Sequence, residues 1–268
     1  MRTTLAITAA IVAVPLVAHA NPRPLPMTYT TDTLPEGGVE VEQFADLVPL
    51  RSSNLNGNEQ RYLASQFQTE IEIGIQDRLE LGLYFTMTPD LASTINPQLA
   101  AKMPEGNGLK QRLRYIFADP GEWPIDVGVY GEVTENETEI ELEGKILLQR
   151  RFDRLRIAAN LVSEYEFYFD NSREVVLNPS AGATYEVTPS FHVGVDSWMR
   201  GEYPSTSPPR TFGLGPAYYV GPAVMYNFGR IWWSVGAYVR VSDIDHEVHD
   251  GEVYGPLWFR SMIGYDLK

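Results

Sequence analysis

The chain has 268 residues, of which 12% are aromatic and 21% charged, with no cysteine and a formal net charge of −14. The acidic balance excludes a nucleic-acid binder, which needs a basic footprint for the phosphate lattice, and the lack of cysteine excludes disulfides, thiolate metal sites and cysteine nucleophiles. No stretch reaches the roughly 18 apolar residues of a transmembrane helix, but a membrane β-barrel, whose strands alternate, stays open.

Residues 1–20 read as a secretory signal peptide. Arg2 supplies the positive end, Leu5 to Val17 the apolar run, and Ala18-His19-Ala20 the small-x-small cleavage site before Asn21. Export without cysteine suits a bacterial periplasm or outer membrane better than a disulfide-stapled secreted domain. Residues 21–35 hold Pro22, Pro24, Pro26 and Pro35 and read as an extended leader. Residues 36–268 then form a single unit.

That unit reads with period two. A first strand falls near Val39 to Leu47. From Ser65, Phe67, Ile71, Ile73 and Ile75 alternate with Gln66, Gln68, Glu70 and Glu72, giving one apolar and one charged face. Past the turn Gln76-Asp77-Arg78, Leu79 to Met87 interleaves with Glu80 and Tyr84. Leu109 to Phe117 interleaves with Lys110, Arg112 and Arg114, and Ile125 to Val133 with Tyr130 and Glu132. Ile140 to Leu148 carries Glu139, Glu141 and Glu143 on its other face. Leu155 to Phe167 carries Arg156, Asn160, Glu164 and Glu166. Val175 to Val187 reads as one strand, followed by Phe191 to Met199 with His192, Asp196, Trp198 and Arg200. Ala217 to Phe228 is apolar on both faces. Ile231 to Val241 alternates with Trp232, Tyr238 and Arg240, and Leu257 to Leu267 with Trp258, Arg260 and Asp266. The count is about twelve strands, an even number as outer-membrane barrels require. Gly215-Pro216, Gly221-Pro222 and Gly255-Pro256 fall inside predicted strands, where proline forfeits a ladder hydrogen bond and marks a bulge or a strand limit.

Connections sort by end. The turns 76–78, 119–124, 151–154, 188–190 and 228–230 are short, whereas most of the opposite loops, 49–60, 89–108, 203–211 and 243–252 among them, are long. Short periplasmic turns and long outer loops are the outer-membrane pattern. Alternation alone does not say which face looks inward. The mixed face of carboxylates, tyrosines and tryptophans suits a lumen, and aromatics crowd the strand ends as interfacial girdles: Tyr62, Phe85, Phe117, Trp123, Phe152, Phe167, Phe191, Phe212, Phe228, Trp233, Tyr254 and Phe259. The fold class is therefore all-β, a closed antiparallel transmembrane barrel, which also removes every sheet edge.

Three fragments carry a family likeness: Glu36-Gly37-Gly38-Val39-Glu40-Val41-Glu42, Asp77-Arg78-Leu79-Glu80-Leu81-Gly82-Leu83, and Gly221-Pro222-Ala223-Val224-Met225-Tyr226. With them the chain resembles Gram-negative outer-membrane barrels related to the meta-pathway phenol-degradation family. That resemblance implies a transporter of small, often aromatic or hydrophobic compounds, with no catalytic set to carry over. One departure is the C-terminus, Tyr265-Asp266-Leu267-Lys268, where many such barrels end in an aromatic residue read by the assembly machinery.

The candidate lumen-lining residues are Glu80, Tyr84, Lys110, Arg112, Arg114, Tyr130, Glu132, Glu139, Glu141, Glu143, Arg156, Glu164, Glu166, His192, Trp198, Arg200, Trp232, Tyr238, Arg240, Trp258 and Arg260. Their charges are asymmetric, with glutamates on consecutive strands and cations largely on the others. They either set a transverse field for polar solutes or pair and plug a narrow lumen. The aromatics either pass a flat solute or pack a constriction. The acidic loop 243–252, with His246 and His249, is a calcium candidate by ligand type but lacks calcium-loop spacing, and reads as a solvated loop. His192 near Asp196, with Ser190 or Thr184, is the one hydrolase candidate, and no motif surrounds it. No cofactor is expected. Expected partners are outer-membrane lipid and lipopolysaccharide, the barrel assembly machinery and a small-molecule solute. The functional expectation is a passive channel. The alternatives are a plugged structural or adhesion barrel working through its outer loops, or a barrel hydrolase.

Overall fold

The computed structural model describes residues 21–53, 59–88, 107–204, 216–242 and 254–267. These hold thirteen strands: β1 (Val39–Ser53), β2 (Glu59–Gln76), β3 (Leu79–Met87), β4 (Gly108–Ile116), β5 (Asp126–Asn136), β6 (Glu139–Phe152), β7 (Leu155–Tyr168), β8 (Arg173–Leu177), β9 (Ser180–Thr188), β10 (Phe191–Pro204), β11 (Ala217–Asn227), β12 (Ile231–Arg240) and β13 (Leu257–Asp266). Among the described residues all strand pairings are antiparallel, most of them join consecutive strands, and β13 closes on β1 through Glu40↔Asp266 to Leu47↔Phe259. The sheet thus has no open edge, which is what a wall in hydrocarbon requires.

Thirteen strands make twelve staves, because β8 and β9 share one. Both pair with β7 on one side and with β10 on the other. The single strand expected from Val175 to Val187 breaks at Asn178-Pro179, where proline has no N–H for the ladder. The neighbours bridge the break: Asn178 N–H donates to the Val162 carbonyl at 3.2 Å, and Met199 N–H to the Pro179 carbonyl at 3.0 Å. Of the other prolines, Pro216 and Pro256 sit just outside β11 and β13, while Pro222 lies within β11 opposite Val195.

Burial alternates along each stave. In β5 it runs strictly buried and exposed from Gly128 onward, and in β4 Lys110, Arg112 and Arg114 are buried while Leu109, Leu113 and Tyr115 are exposed. The polarity is inverted relative to a soluble protein. Leu113, Leu161 and Val195 are 52%, 56% and 55% exposed, while Glu40, Glu70, Glu72 and Glu80 have no exposure. An apolar outside and a charged inside place the barrel in the bacterial outer membrane, with the strands crossing the bilayer. Phe85, Phe117, Trp123, Phe152, Phe228, Trp233 and Phe259 are exposed and form the girdles. Phe167 and Phe191 are only half-buried. Tyr254 departs from the expected girdle: it is buried, because it precedes β13 and its hydroxyl turns inward to Glu202. Phe212, the side chain of Tyr62, residues 1–20 and the loops 89–106 and 243–253 lie outside the described residues. Tyr265 and Leu267, at the end of the closing stave, face outward.

The leader does not hang below the barrel. It enters the lumen from the short-turn end, reaches mid-barrel and returns to that end before β1. Asn21, Arg23, Leu25, Thr28, Thr30, Thr31 and Leu34 are all buried. The turn back into β1 is fixed by Gly37 N–H to the Gly74 carbonyl (2.8 Å) and Gly74 N–H to the Gly38 carbonyl (3.0 Å).

Candidate functional site: a plugged lumen with an outer vestibule

An extended segment inside a closed barrel has no strand left to pair with, so its main-chain groups need side-chain partners. The wall supplies them. Asn21 N–H donates to Glu40 at 2.8 Å, Met27 N–H to Asp196 at 2.7 Å, Tyr29 N–H to Asn160 at 2.7 Å, and Leu34 N–H to Glu80 at 2.9 Å. Asn160 also donates to the Tyr29 carbonyl at 3.0 Å, and the Thr28 hydroxyl donates to Asp196 at 2.6 Å. The leader is therefore held by four staves at once, β1, β3, β7 and β10.

Charge fixes its two ends. Arg23 reaches Glu42 at 3.4 Å, Glu70 at 3.6 Å and Glu72 at 3.4 Å, all fully buried carboxylates. Burial works against the Arg23 cation, but Glu42, Tyr29, Glu70 and Glu72 outweigh it and raise its pKa well above the ordinary value. On the returning arm Asp32 binds Arg151 and, at 2.5 Å, Arg156. Burial pushes the Asp32 carboxyl up, and the Arg156 and Arg151 guanidinium groups more than offset this and hold it below its usual value.

Between the arms stands the leader's Tyr29. Its ring lies between the Arg23 guanidinium (4.1 Å from the centroid) and the Lys145 ammonium (4.5 Å), and meets Tyr130 edge-on at 5.4 Å. Its hydroxyl is 3.1 Å from that of Tyr84. Cation–π contacts strengthen when desolvated, so this ring ties the plug to the wall through Lys145 and Tyr130.

The inward side chains pair along the wall rather than across it. Arg112 binds Glu70 at 2.6 Å, Glu80 at 2.7 Å, Glu72, and the Tyr84 hydroxyl at 3.0 Å. Arg114 shares Glu80 at 2.6 Å. Arg112 lies here because Gly82 has no side chain: a Cβ there would stand 2.5 Å from both the Arg112 Nε and a Glu70 oxygen. Nearer the outer rim, Arg200 holds Glu164 at 2.8 Å and Glu166 at 3.1 Å, and Arg260 holds Asp46 through two 2.8 Å contacts. Lys110 lies 3.3 Å from Glu132, and Lys145 2.7 Å from Glu143. The two signs expected on opposite arcs thus meet mostly between nearby staves. The reason is reach: inward neighbours are about 5 Å apart on paired strands and about 10 Å apart across one intervening stave, whereas facing walls are separated by the leader.

Glu139, Glu141, Trp232, Tyr238, Arg240 and Trp258 are also buried inside. Trp232 donates to Glu40, Arg240 to the Tyr254 carbonyl at 2.7 Å, and Trp258 to Asp46 at 2.7 Å. Trp198 stacks on Tyr219 at 4.4 Å and meets Trp258 edge-on at 4.9 Å. His192 is half-buried near the short-turn end. Its would-be orienting partner Asp196 is engaged by Met27, Thr28 and Tyr238, and Thr184 donates to the Val193 carbonyl. No hydrolase constellation assembles among these residues. Sequence reasoning missed the leader's Arg23, Tyr29 and Asp32 as lumen residues and left Glu40, Glu42, Asp46, Glu70, Glu72, Lys145, Asn160 and Asp196 out of the candidate lining.

Above the leader a cavity of about 110 Å³ remains, with Met27 and Tyr29 as its floor. Tyr84, Tyr130, Trp198 and Trp258 supply its aromatic wall, Gln66, Gln68, Asn160 and Asn178 its amides, and Lys110, Lys145, Arg200 and Arg260 its cations. That space holds several waters or one small polar solute.

A closed antiparallel wall with an apolar belt outside and an ion-paired interior defines a porin-like outer-membrane β-barrel. The chain belongs to DUF6662, a family of unknown function, whose model matches residues 17–256. A search of curated proteins finds no match. Among solved structures the chain is similar to an outer membrane channel from Pseudomonas putida F1, at 11% identity and a TM-score of 0.57, over 88% of this chain and 98% of that one. It is likewise similar to the NanC porin, at 11% identity and a TM-score of 0.58, over 85% of this chain and all of that one. At such identity the likeness is one of fold.

Proposed function

We propose that the protein is an outer-membrane channel for the passive uptake of small solutes, with an outer vestibule above a leader that must shift for solute to pass. The observation that carries this reading is how the leader is held. It joins no ladder of the sheet, and its anchors are side-chain hydrogen bonds and ion pairs that water can replace one by one. Removing it leaves a wall whose strands still pair all the way round. Aromatic faces beside guanidinium, ammonium and amide groups suit a small solute with a flat face and polar edges. That chemistry agrees with the aromatic compounds implied by the resemblance to the meta-pathway phenol-degradation barrels. The reading assigns the chain no catalysis. Its partners are then the solute, the surrounding lipid and lipopolysaccharide, and the machinery that assembles barrels.

Solute influx into proteoliposomes tests it. The expected result is slow influx for the intact chain and fast influx for a variant lacking residues 22–34, with small phenols and benzoates entering faster than sugars of similar size. Equal, background influx from both folded barrels would refute conduction. The burial of the leader favours one second reading, a barrel permanently plugged and working through its outer loops. That result would support it.

A further inference from the structure

At the short-turn end of the lumen three carboxylates stand side by side on adjacent staves. Glu40 sits on β1 with Asp266 of β13 directly opposite on one side and Glu72 of β2 on the other, all three without exposure. Carboxylates directly opposite one another repel, and burial sharpens the repulsion. Glu72 is served by Arg112 and Arg23. Among the described residues no cation lies within ion-pair distance of Glu40, and Arg23, which binds its neighbour Glu42, acts on it only from farther off. Its two oxygens accept from the Trp232 indole and from the Asn21 main-chain nitrogen, the latter at 2.8 Å. Gly264 makes room for this arrangement, since a Cβ there would stand 2.5 Å from Glu40 and 2.2 Å from the indole.

Asn21 is also the residue that follows the Ala18-His19-Ala20 cleavage site. We propose that removal of the signal peptide turns this nitrogen into an α-ammonium group, and that Glu40 is the receptor site for that new N-terminus. In the cleavage, water adds across the Ala20–Asn21 peptide bond through an exported-protein signal peptidase. The carbonyl carbon takes the oxygen and leaves as the Ala20 carboxylate, and the nitrogen takes the protons and becomes the ammonium. A neutral amide that donates one hydrogen bond becomes a cation with three donors beside a wall carboxylate that has no ion-pair partner among the described residues. The contact, charge-assisted in the precursor by its acceptor alone, becomes an ammonium–carboxylate ion pair. The plug is therefore fastened by processing: the precursor lacks the charge that holds the first leader residue, and the mature chain has it. This inference rests on the cleavage site and the Asn21–Glu40 contact, and stands apart from whether the barrel conducts.

The full precursor, expressed in a Gram-negative host and purified from the outer membrane, gives the first test. Intact mass and N-terminal sequencing are expected to place the start at Asn21, and any other start overturns the proposal. The second test is acylation of the α-amine in the folded mature barrel across pH. A free α-amine titrates near 7.7–8.0, and capture by Glu40 is expected to raise the midpoint of its reactivity above that range. A midpoint within or below it overturns the proposal. A Glu40→Gln variant is expected to return the midpoint toward the free value and to speed acylation at pH 7 by about tenfold or more. A folded variant that reacts like the wild type overturns it, and the wild-type titration decides alone if the variant does not fold.

Discussion

Asp196 is the wall residue that holds the middle of the leader, and its removal has a calculable consequence. It accepts from Met27 N–H at 2.7 Å and Thr28 Oγ1 at 2.6 Å on the leader, and from Tyr238 at 3.1 Å on the wall. Hydrogen bonds to a charged group contribute about 1.5–3 kcal/mol each, so Asp196→Ala removes roughly 3–6 kcal/mol of docking. At 1.4 kcal/mol per tenfold, the undocked population rises about 10²- to 10⁴-fold. The chain has no cysteine, so a single Leu25→Cys reporter at a buried leader position reads that population cleanly. Its labelling by a water-soluble maleimide is expected to accelerate by about a hundredfold or more in the Asp196→Ala background, with heat-modifiable migration of the barrel retained. Acceleration of less than about threefold in a folded barrel would refute the claim that side-chain anchors hold the leader.

Arg112→Met leaves Glu70, Glu72 and Glu80 without their shared cation, and breaking a buried pair in this way costs about 3–5 kcal/mol. Urea titration in vesicles measures that loss, and adding Glu70→Gln is expected to recover part of it. Asp32, held below its ordinary pKa by Arg156 and Arg151 against the effect of burial, contributes fully to docking above the free carboxylate value of about 3.9. The contribution is lost as the pH falls through the lower docked value, so Leu25→Cys labelling is expected to rise at that acid edge and Asp32→Asn to abolish the edge. Val195→Arg on the lipid face is expected to cost up to about 2–4 kcal/mol according to depth, measured by urea titration, whereas Val195→Leu is expected to be near neutral.

The barrel was legible because a wall between lipid and an aqueous lumen forces a two-residue period. Glu139, Glu141 and Glu143 against Ile140 and Leu142 could not be read otherwise. The break at Asn178-Pro179 was not, since a proline in an otherwise alternating run looks like a bulge until both neighbours are seen to bridge it. The lumen residues were legible one by one from their parity, but not their partners. Arg112 meets Glu70 and Glu72, on a stave two away in the sheet, because the intervening stave has Gly82 there. The leader's place was hidden for a different reason. It has no period of its own, and its anchors Asn160 and Asp196 lie 131 and 169 residues along the chain from Tyr29 and Met27. One signal was present: the inward carboxylates of the first two staves, Glu40, Glu42, Glu70 and Glu72, have no inward cation on those staves among the described residues and called for one from elsewhere.

Single-channel recording in a planar bilayer tests the central claim most directly, comparing the refolded mature barrel with the same barrel carrying Asp196→Ala. Rare, brief openings are expected for the first, and openings to the same current level, about a hundredfold more often, for the second. A folded Asp196→Ala barrel that stays silent, or a wild-type barrel that conducts steadily, would contradict it.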